Sequence, residues 1–142
     1  MVVTFCGHRD VYDREAVSQK LSAVLRDLID EGANSFLLGG YGNFDSIAAS
    51  VVRDLKKEFP GVRSTLVIPY LDREFNKDLY DDSTYPPLEH VLRRFAISRR
   101  NEWMVNQADV VVSYVRHGWG GAATTLRYAE RKKKRIISIA DE

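Results

Sequence analysis

"DVVVSYVRHGWGGAATTLRYAE", residues 109–130, changes period in the middle. The run from Val110 to Val115 is apolar and rich in β-branched residues, as a strand buried on both faces requires. Glycines follow at 118, 120 and 121, and the residues after them repeat with helical spacing. Strand, glycine loop, helix is the unit from which parallel α/β sheets are built. The glycines have two candidate roles. They let the backbone turn, and they leave room for an anion on the bare N–H groups of the helix's first turn.

The same unit recurs upstream. Val2 to Cys6 is a short apolar run that ends in "GHRD", and Val17, Leu21, Val24, Leu25 and Leu28 then mark an amphipathic helix closed by "EGA". Ser35 to Leu38 runs into "GGYGNFD", followed by a second helix on Ile47, Ala48, Val51, Val52 and Leu55. "STLVIPY" reads as a third strand, and "RIISI" after the last helix, expected over Ala122 to Lys134, as a fifth. Residues 71–87 show no apolar period and contain two prolines, which reads as a long binding loop or lid. From Leu88 to Gln107 the pattern is helical again, in one piece or two.

Right-handed crossovers between these strands predict a Rossmann-like doubly wound parallel sheet of about five strands in the order 3-2-1-4-5, with helices on both faces. The whole chain, residues 1–142, reads as one domain, long enough to bury roughly two thirds of its unfolded surface. No stretch approaches the roughly 18 apolar residues of a membrane-spanning helix, and "MVVTFCGHRD" lacks the layout of a secretory signal. A cytoplasmic location and no membrane partner are expected. Twenty-one Lys and Arg balance twenty Asp and Glu, so no global field draws the chain to nucleic acid. "RKKKR", 131–135, reads as a solvated helix end, and Cys6 as a small core residue.

The fold turns three separate segments into neighbours. "CGHRD" follows the first strand, "GGYGNFD" the second and "HGWGGA" the fourth, so all three lie at the strands' carboxyl ends, where such sheets bind ligands beside the switch point. The spacing fits neither the G-x-G-x-x-G of dinucleotide folds nor the Gly-Lys-Ser/Thr phosphate loop.

"RRNEWMVNQADVVVSYVRHGWGGAATTLRYAERKKKRIISI" resembles the second half of the SLOG superfamily, the Rossmann-like group that includes LOG-type phosphoribohydrolases and the core of DNA-processing protein A. Arg100, Met104 and Asp109 keep the LOG-type spacing, and Gly120, Gly121 and Thr124 hold its glycine-loop positions. The first half, "FCGHRD" and "GGYGNFDSIA", is similar to a small bacterial and phage subgroup of that superfamily. The resemblance implies the fold, a small nucleotide-like ligand and self-association into a homo-oligomer. One departure bears on activity. LOG-type enzymes carry a glutamate just after Gly-Thr, where this chain has Leu126 and Arg127, and the next glutamate is Glu130.

Binding is therefore expected at Gly7, His8, Arg9, Gly39, Gly40, Tyr41, Asp45, Arg100, Trp119, Gly120, Gly121, Ala122 and Thr124. Arg9 and Arg100 are the phosphate candidates, because guanidinium presents a planar fork to phosphate oxygens; a surface helix arginine is the plain alternative for Arg100. Asp45 and Asp10 are the candidate sugar-facing carboxylates, and Asp45 is equally suited to capping its helix. Trp119, Tyr41 and Phe44 offer rings on which a base can stack. Asp45 and Arg100 are the catalytic candidates if the chain is an enzyme. No metal-ligand spacing is present, and no cofactor is expected. These residues point to a protein that senses or sequesters a phosphorylated ribose nucleotide derivative, ADP-ribose-like or cyclic. Two alternatives are an N-glycosidase acting on nucleoside monophosphates and a single-stranded DNA binder.

Overall fold

The computed structural model describes residues 1–72, 74–75 and 78–140. Six parallel strands form one sheet in the order β4-β3-β2-β1-β5-β6. They are β1 (Val2–Gly7), β2 (Ser35–Leu38), β3 (Arg63–Val67), β4 (Asp82–Thr84), β5 (Val110–Tyr114) and β6 (Arg135–Ser138). With β4 set aside, this is the expected order, and the switch point lies between β1 and β5.

The sixth strand corrects the expected count. β4 forms inside the stretch read as an irregular loop, of which residues 73, 76 and 77 lie outside the described ones. Its Asp-Ser-Thr sequence carries no apolar alternation. Polar contacts hold it to β3 instead: Thr65 Oγ1 donates to Asp82 Oδ1 at 2.6 Å and Arg63 pairs with Asp82 at 2.9 Å.

Helices α1 (Arg14–Asp30) and α2 (Gly42–Glu58) pack with Val3, Phe5, Phe36, Leu38 and Val112 on one face of the sheet. On the other face, Val105 of α3 (Ala96–Gln107) and Ala129 of α4 (Gly121–Arg131) meet Cys6 and Val111. Successive strand residues thus serve opposite faces, which is why these strands are apolar throughout. α1 starts where Asp13 Oδ1 accepts the Ala16 N–H at 3.1 Å, and its buried Val17, Leu21, Leu25 and Leu28 keep the helical period.

Two boundaries shift. Behind Pro86 and Pro87 the chain turns through Leu88–Leu92 and a 3-10 turn (Arg93–Phe95) before α3 begins, so the regular helix is shorter than the apolar pattern. α4 ends at Arg131, because Lys133 takes a left-handed φ of 57° and turns the chain into β6. The basic run there is mostly exposed, and Arg135 pairs with Glu31 at 2.6 Å.

Candidate functional site

A cavity of about 740 Å³ opens over the switch point, within the usual range for small-molecule sites. The loop after β1, the start of α2, one face of α3 and the loop from β5 into α4 enclose it. Of the expected residues, Gly7, His8, Arg9, Tyr41, Asp45 and Arg100 line it, as do Trp119, Gly120, Gly121 and Ala122. Gly39, which is buried, and Gly40 and Thr124, which are exposed, do not line it.

The glycines of β1 and β2 are enclosed. A Cβ on Gly7 would lie 2.2 Å from the ring of Phe44, which is fully buried and so serves the core rather than a base. Gly42 has φ +84°, and a Cβ there would meet the Arg9 backbone at 2.9 Å. That close approach lets the Asn43 N–H donate to the Arg9 carbonyl at 2.8 Å, tying the first loop to the start of α2. Gly39 sits between Asp45 Oδ2 and the Arg100 guanidinium, at 3.1 and 3.2 Å from its notional Cβ.

Arg100 is only 2% exposed, so the surface reading fails. Its Nη1 donates to the carbonyls of Gly39 (2.8 Å) and Val67 (2.7 Å), and its Nε to Asn101 Oδ1 (2.9 Å). The guanidinium is thereby locked beneath the cavity as a fixed positive charge. Its carbon lies 5.4 Å from the centre of the Tyr41 ring. Asp45, half-buried in the first turn of α2, accepts the Tyr41 N–H on Oδ2 at 3.2 Å, from inside the helix rather than from its N-cap, which is Tyr41. Burial pushes its carboxyl up to about 6, against the pull of Arg100 and of that N–H.

The β5 side is built differently. Gly120 takes φ +93° and caps α4 without a side chain, and Gly118, Gly120 and Gly121 have open space where a Cβ would sit. The Thr124 hydroxyl donates to the Gly120 carbonyl (3.0 Å), and Arg127, at the position of the LOG-type glutamate, donates Nη1 to the Gly118 carbonyl (3.0 Å). That side chain braces the loop. Leu126 packs on the core.

His8, His117 and Trp119 form a three-ring stack, with centroids 3.9 and 3.7 Å apart. His8 Nε2 accepts the Arg116 N–H at 2.7 Å, which assigns the proton to Nδ1. Burial, then His117 and Arg116, hold the His8 pKa below its ordinary value. The stack clasps the first loop to the last one and presents Trp119, 71% exposed, at the mouth. Arg9 and Asp10 are exposed on the rim. Among the described residues, no group of three or more His, Cys, Asp or Glu could hold a metal. None of the helices described is long and apolar enough to cross a membrane.

Sequence reasoning missed Ile97 and Asn101, which line the cavity beside Arg100 and Met104. Their spacing of i, i+3, i+4 and i+7 on α3 is the signal that marks one helix face.

With this geometry in hand, the YspA SLOG family model matches residues 8–136. The chain belongs to the YspA SLOG family. A UPF0398 protein of Lysinibacillus sphaericus is 37% identical over 60 residues, which are 42% of this chain and 34% of that protein. The chain thus spans about a third of that relative in the match. DNA processing protein A from Helicobacter pylori, described for its single-stranded DNA binding, superposes with a TM-score of 0.67 at 18% identity, covering 100% of this chain and 66% of that one. The molybdenum cofactor binding protein from Rippkaea orientalis gives 0.68 at 17% identity, covering 99% and 77%. At such identities the likeness is one of fold. SLOG-fold neighbours thus include proteins of quite different ligands, and the family alone does not choose among them.

Proposed function

We propose that this SLOG chain binds a phosphorylated ribose nucleotide derivative in the switch-point cavity and acts as a sensor or sequestering protein. The observation that carries this reading is the bare start of α4. Gly120 and Gly121 stand on the cavity wall with no side chain over them and no side-chain cap, so the first-turn N–H groups and the positive end of the helix dipole face a ligand. Arg9 on the rim adds a charge-assisted donor, and Trp119 a ring for a base. A protein of the same fold that binds the molybdenum cofactor agrees with a small-molecule occupant.

One observation favours a second reading, hydrolysis of an N-glycosidic bond. A cavity-facing carboxyl whose pKa is pushed to about 6 is suited to proton transfer near neutrality. Single-stranded DNA binding finds less support, since the net charge is +1.

Native mass spectrometry of freshly purified protein, followed by calorimetry with a panel of nucleoside mono- and diphosphates, tests the proposal. Binding predicts an intact phosphorylated species and micromolar heats that vanish when the phosphate is removed. Free base and sugar phosphate accumulating instead would favour hydrolysis. Flat traces across the panel would overturn both readings.

A further inference from the structure

The cavity has two chemically opposed ends. At the α4 end stand unclaimed amides, and at the α2 end stands a carboxylate. β1 separates β2 from β5, so the loops after β2 and β5 are two strand spacings apart, about 10 Å. One sugar phosphate, hydrogen-bonded at both ends, covers that span. A phosphate is attracted by the bare start of α4, whereas at the α2 end the Arg100 charge is offset by Asp45, which fixes how such a ligand lies.

Two polar atoms at the α2 end lack partners. Asp45 uses Oδ2 for the Tyr41 N–H, and its Oδ1 accepts no hydrogen bond among the described residues. Arg100 makes no hydrogen bond to it; its Nη1 and Nε are given to Gly39, Val67 and Asn101. The Tyr41 hydroxyl is buried, again with no partner among the described residues. Both side chains line the cavity. A buried polar group left unpaired is costly, so the Tyr41 hydroxyl calls for a partner, and Asp45 Oδ1, which is not itself fully buried, is free to take a second contact from the same ligand. Their chemistry is complementary. A carboxylate oxygen only accepts, whereas a phenol both donates and accepts. Adjacent hydroxyl groups satisfy both, one donating to Asp45 and its neighbour accepting from Tyr41. An exocyclic amine only donates and would leave the tyrosine proton without an acceptor.

We propose that Asp45 and Tyr41 form a hydroxyl-recognising subsite that selects a sugar with a vicinal diol over its deoxy form and orients the ligand with its phosphate on α4. This rests on the binding function proposed above and adds to it a specificity and a direction.

Calorimetry with the four ribonucleoside 5′-monophosphates, their 2′-deoxy and 3′-deoxy counterparts and the unphosphorylated nucleosides provides the test. The ribo form of the bound nucleotide is expected to bind roughly 10- to 100-fold more tightly than either deoxy form, the worth of a hydrogen bond to a charged group. Asp45→Asn and Tyr41→Phe are each expected to cut that ratio at least roughly threefold, with the difference between nucleotide and nucleoside unchanged. Equal ribo and deoxy affinities with the phosphate still required would overturn the subsite and spare the parent function. Tighter binding of amine-bearing bases regardless of sugar, lost in Asp45→Asn, would give the carboxylate to the base edge and overturn the subsite too. No response to any phosphorylated probe would remove the function and the subsite together. If either variant fails to fold, the ribo-to-deoxy ratio of the unmodified chain still decides.

Discussion

A Cβ on the glycines at the ends of β1 and β2 would run into protein, while one on those at the end of β5 would face empty space. Gly7 is pressed against Phe44, Gly40 against Leu66, and Gly42 against the Arg9 backbone; nothing lies within 4 Å of where a Cβ on Gly118, Gly120 or Gly121 would stand. Both groups occur in similar strand-to-helix turns, and composition does not tell them apart. Enclosed glycines let loops pack on each other and hold the cavity's shape. Open ones keep backbone donors accessible. On the proposed function, the two sets of loops divide the labour of scaffold and contact.

The largest effect tests the enclosed side. In Gly7→Ala the new methyl overlaps the Phe44 ring, which has no free space to move into because it stacks on Tyr114 with centroids 5.8 Å apart and meets Phe5 edge-on. A loss of about 3 kcal/mol or more in urea unfolding is expected, with nucleotide binding lost alongside. A variant as stable as the parent would show that this wall yields, and the distinction between the two sides would collapse.

Much of this layout was legible beforehand. The strand order, the switch point and the convergence of three loops follow from apolar runs punctuated by glycine, since a parallel sheet buried on both faces has few other sequences. β4 was not legible, because three polar residues at a sheet edge bury nothing that periodicity can report. Nor was the His8–His117 stack, which joins residues far apart along the chain through a contact that only the folded loops create. The burial of Arg100 was within reach, for Ala96, Arg100 and Met104 fall on one face of α3 at i, i+4 and i+8. An arginine on an apolar stripe signals a buried guanidinium with carbonyl partners, and reading it as a phosphate ligand or a surface residue passed over that third option. Which glycines are open depends on what surrounds them, and that information lies outside each local segment.

Asp45 sharpens the comparison, since it belongs to the enclosed side yet faces the cavity. Its carboxyl holds a proton more tightly folded than unfolded, so the protein loses stability as pH rises from about 4 to about 6, and the full cost is present above that. A rise from 3.8 to about 6 corresponds to about 3 kcal/mol; because Asp45 is only half-buried at the cavity, this is reduced to about 1–2 kcal/mol. Asp45→Asn keeps an acceptor for the Tyr41 N–H and removes the charge. It is expected to be more stable than the parent by that amount at pH 8 and equal to it near pH 3.5, as urea midpoints at the two values will show. A difference independent of pH would place the ionised carboxylate in easy contact with water and remove the tension between stability and ligand recognition.

The smallest change in stability tests the open side. Gly121 begins α4 with space where a Cβ would point, and its φ is outside the left-handed region, so alanine fits and restricts only the unfolded chain. Stability is expected to stay within about 0.5 kcal/mol of the parent. The methyl nevertheless stands on the cavity wall beside the amides proposed to hold the phosphate, and nucleotide affinity is expected to fall roughly tenfold, equivalent to about 1.4 kcal/mol. Gly118→Ala is the internal control. That position is just as open but does not line the cavity, so affinity there stays unchanged. If both variants bind as the parent does, the open glycines only turn the chain. If Gly121→Ala alone weakens binding while the fold is untouched, the empty space over α4 is a contact surface for the ligand and not a by-product of the turn.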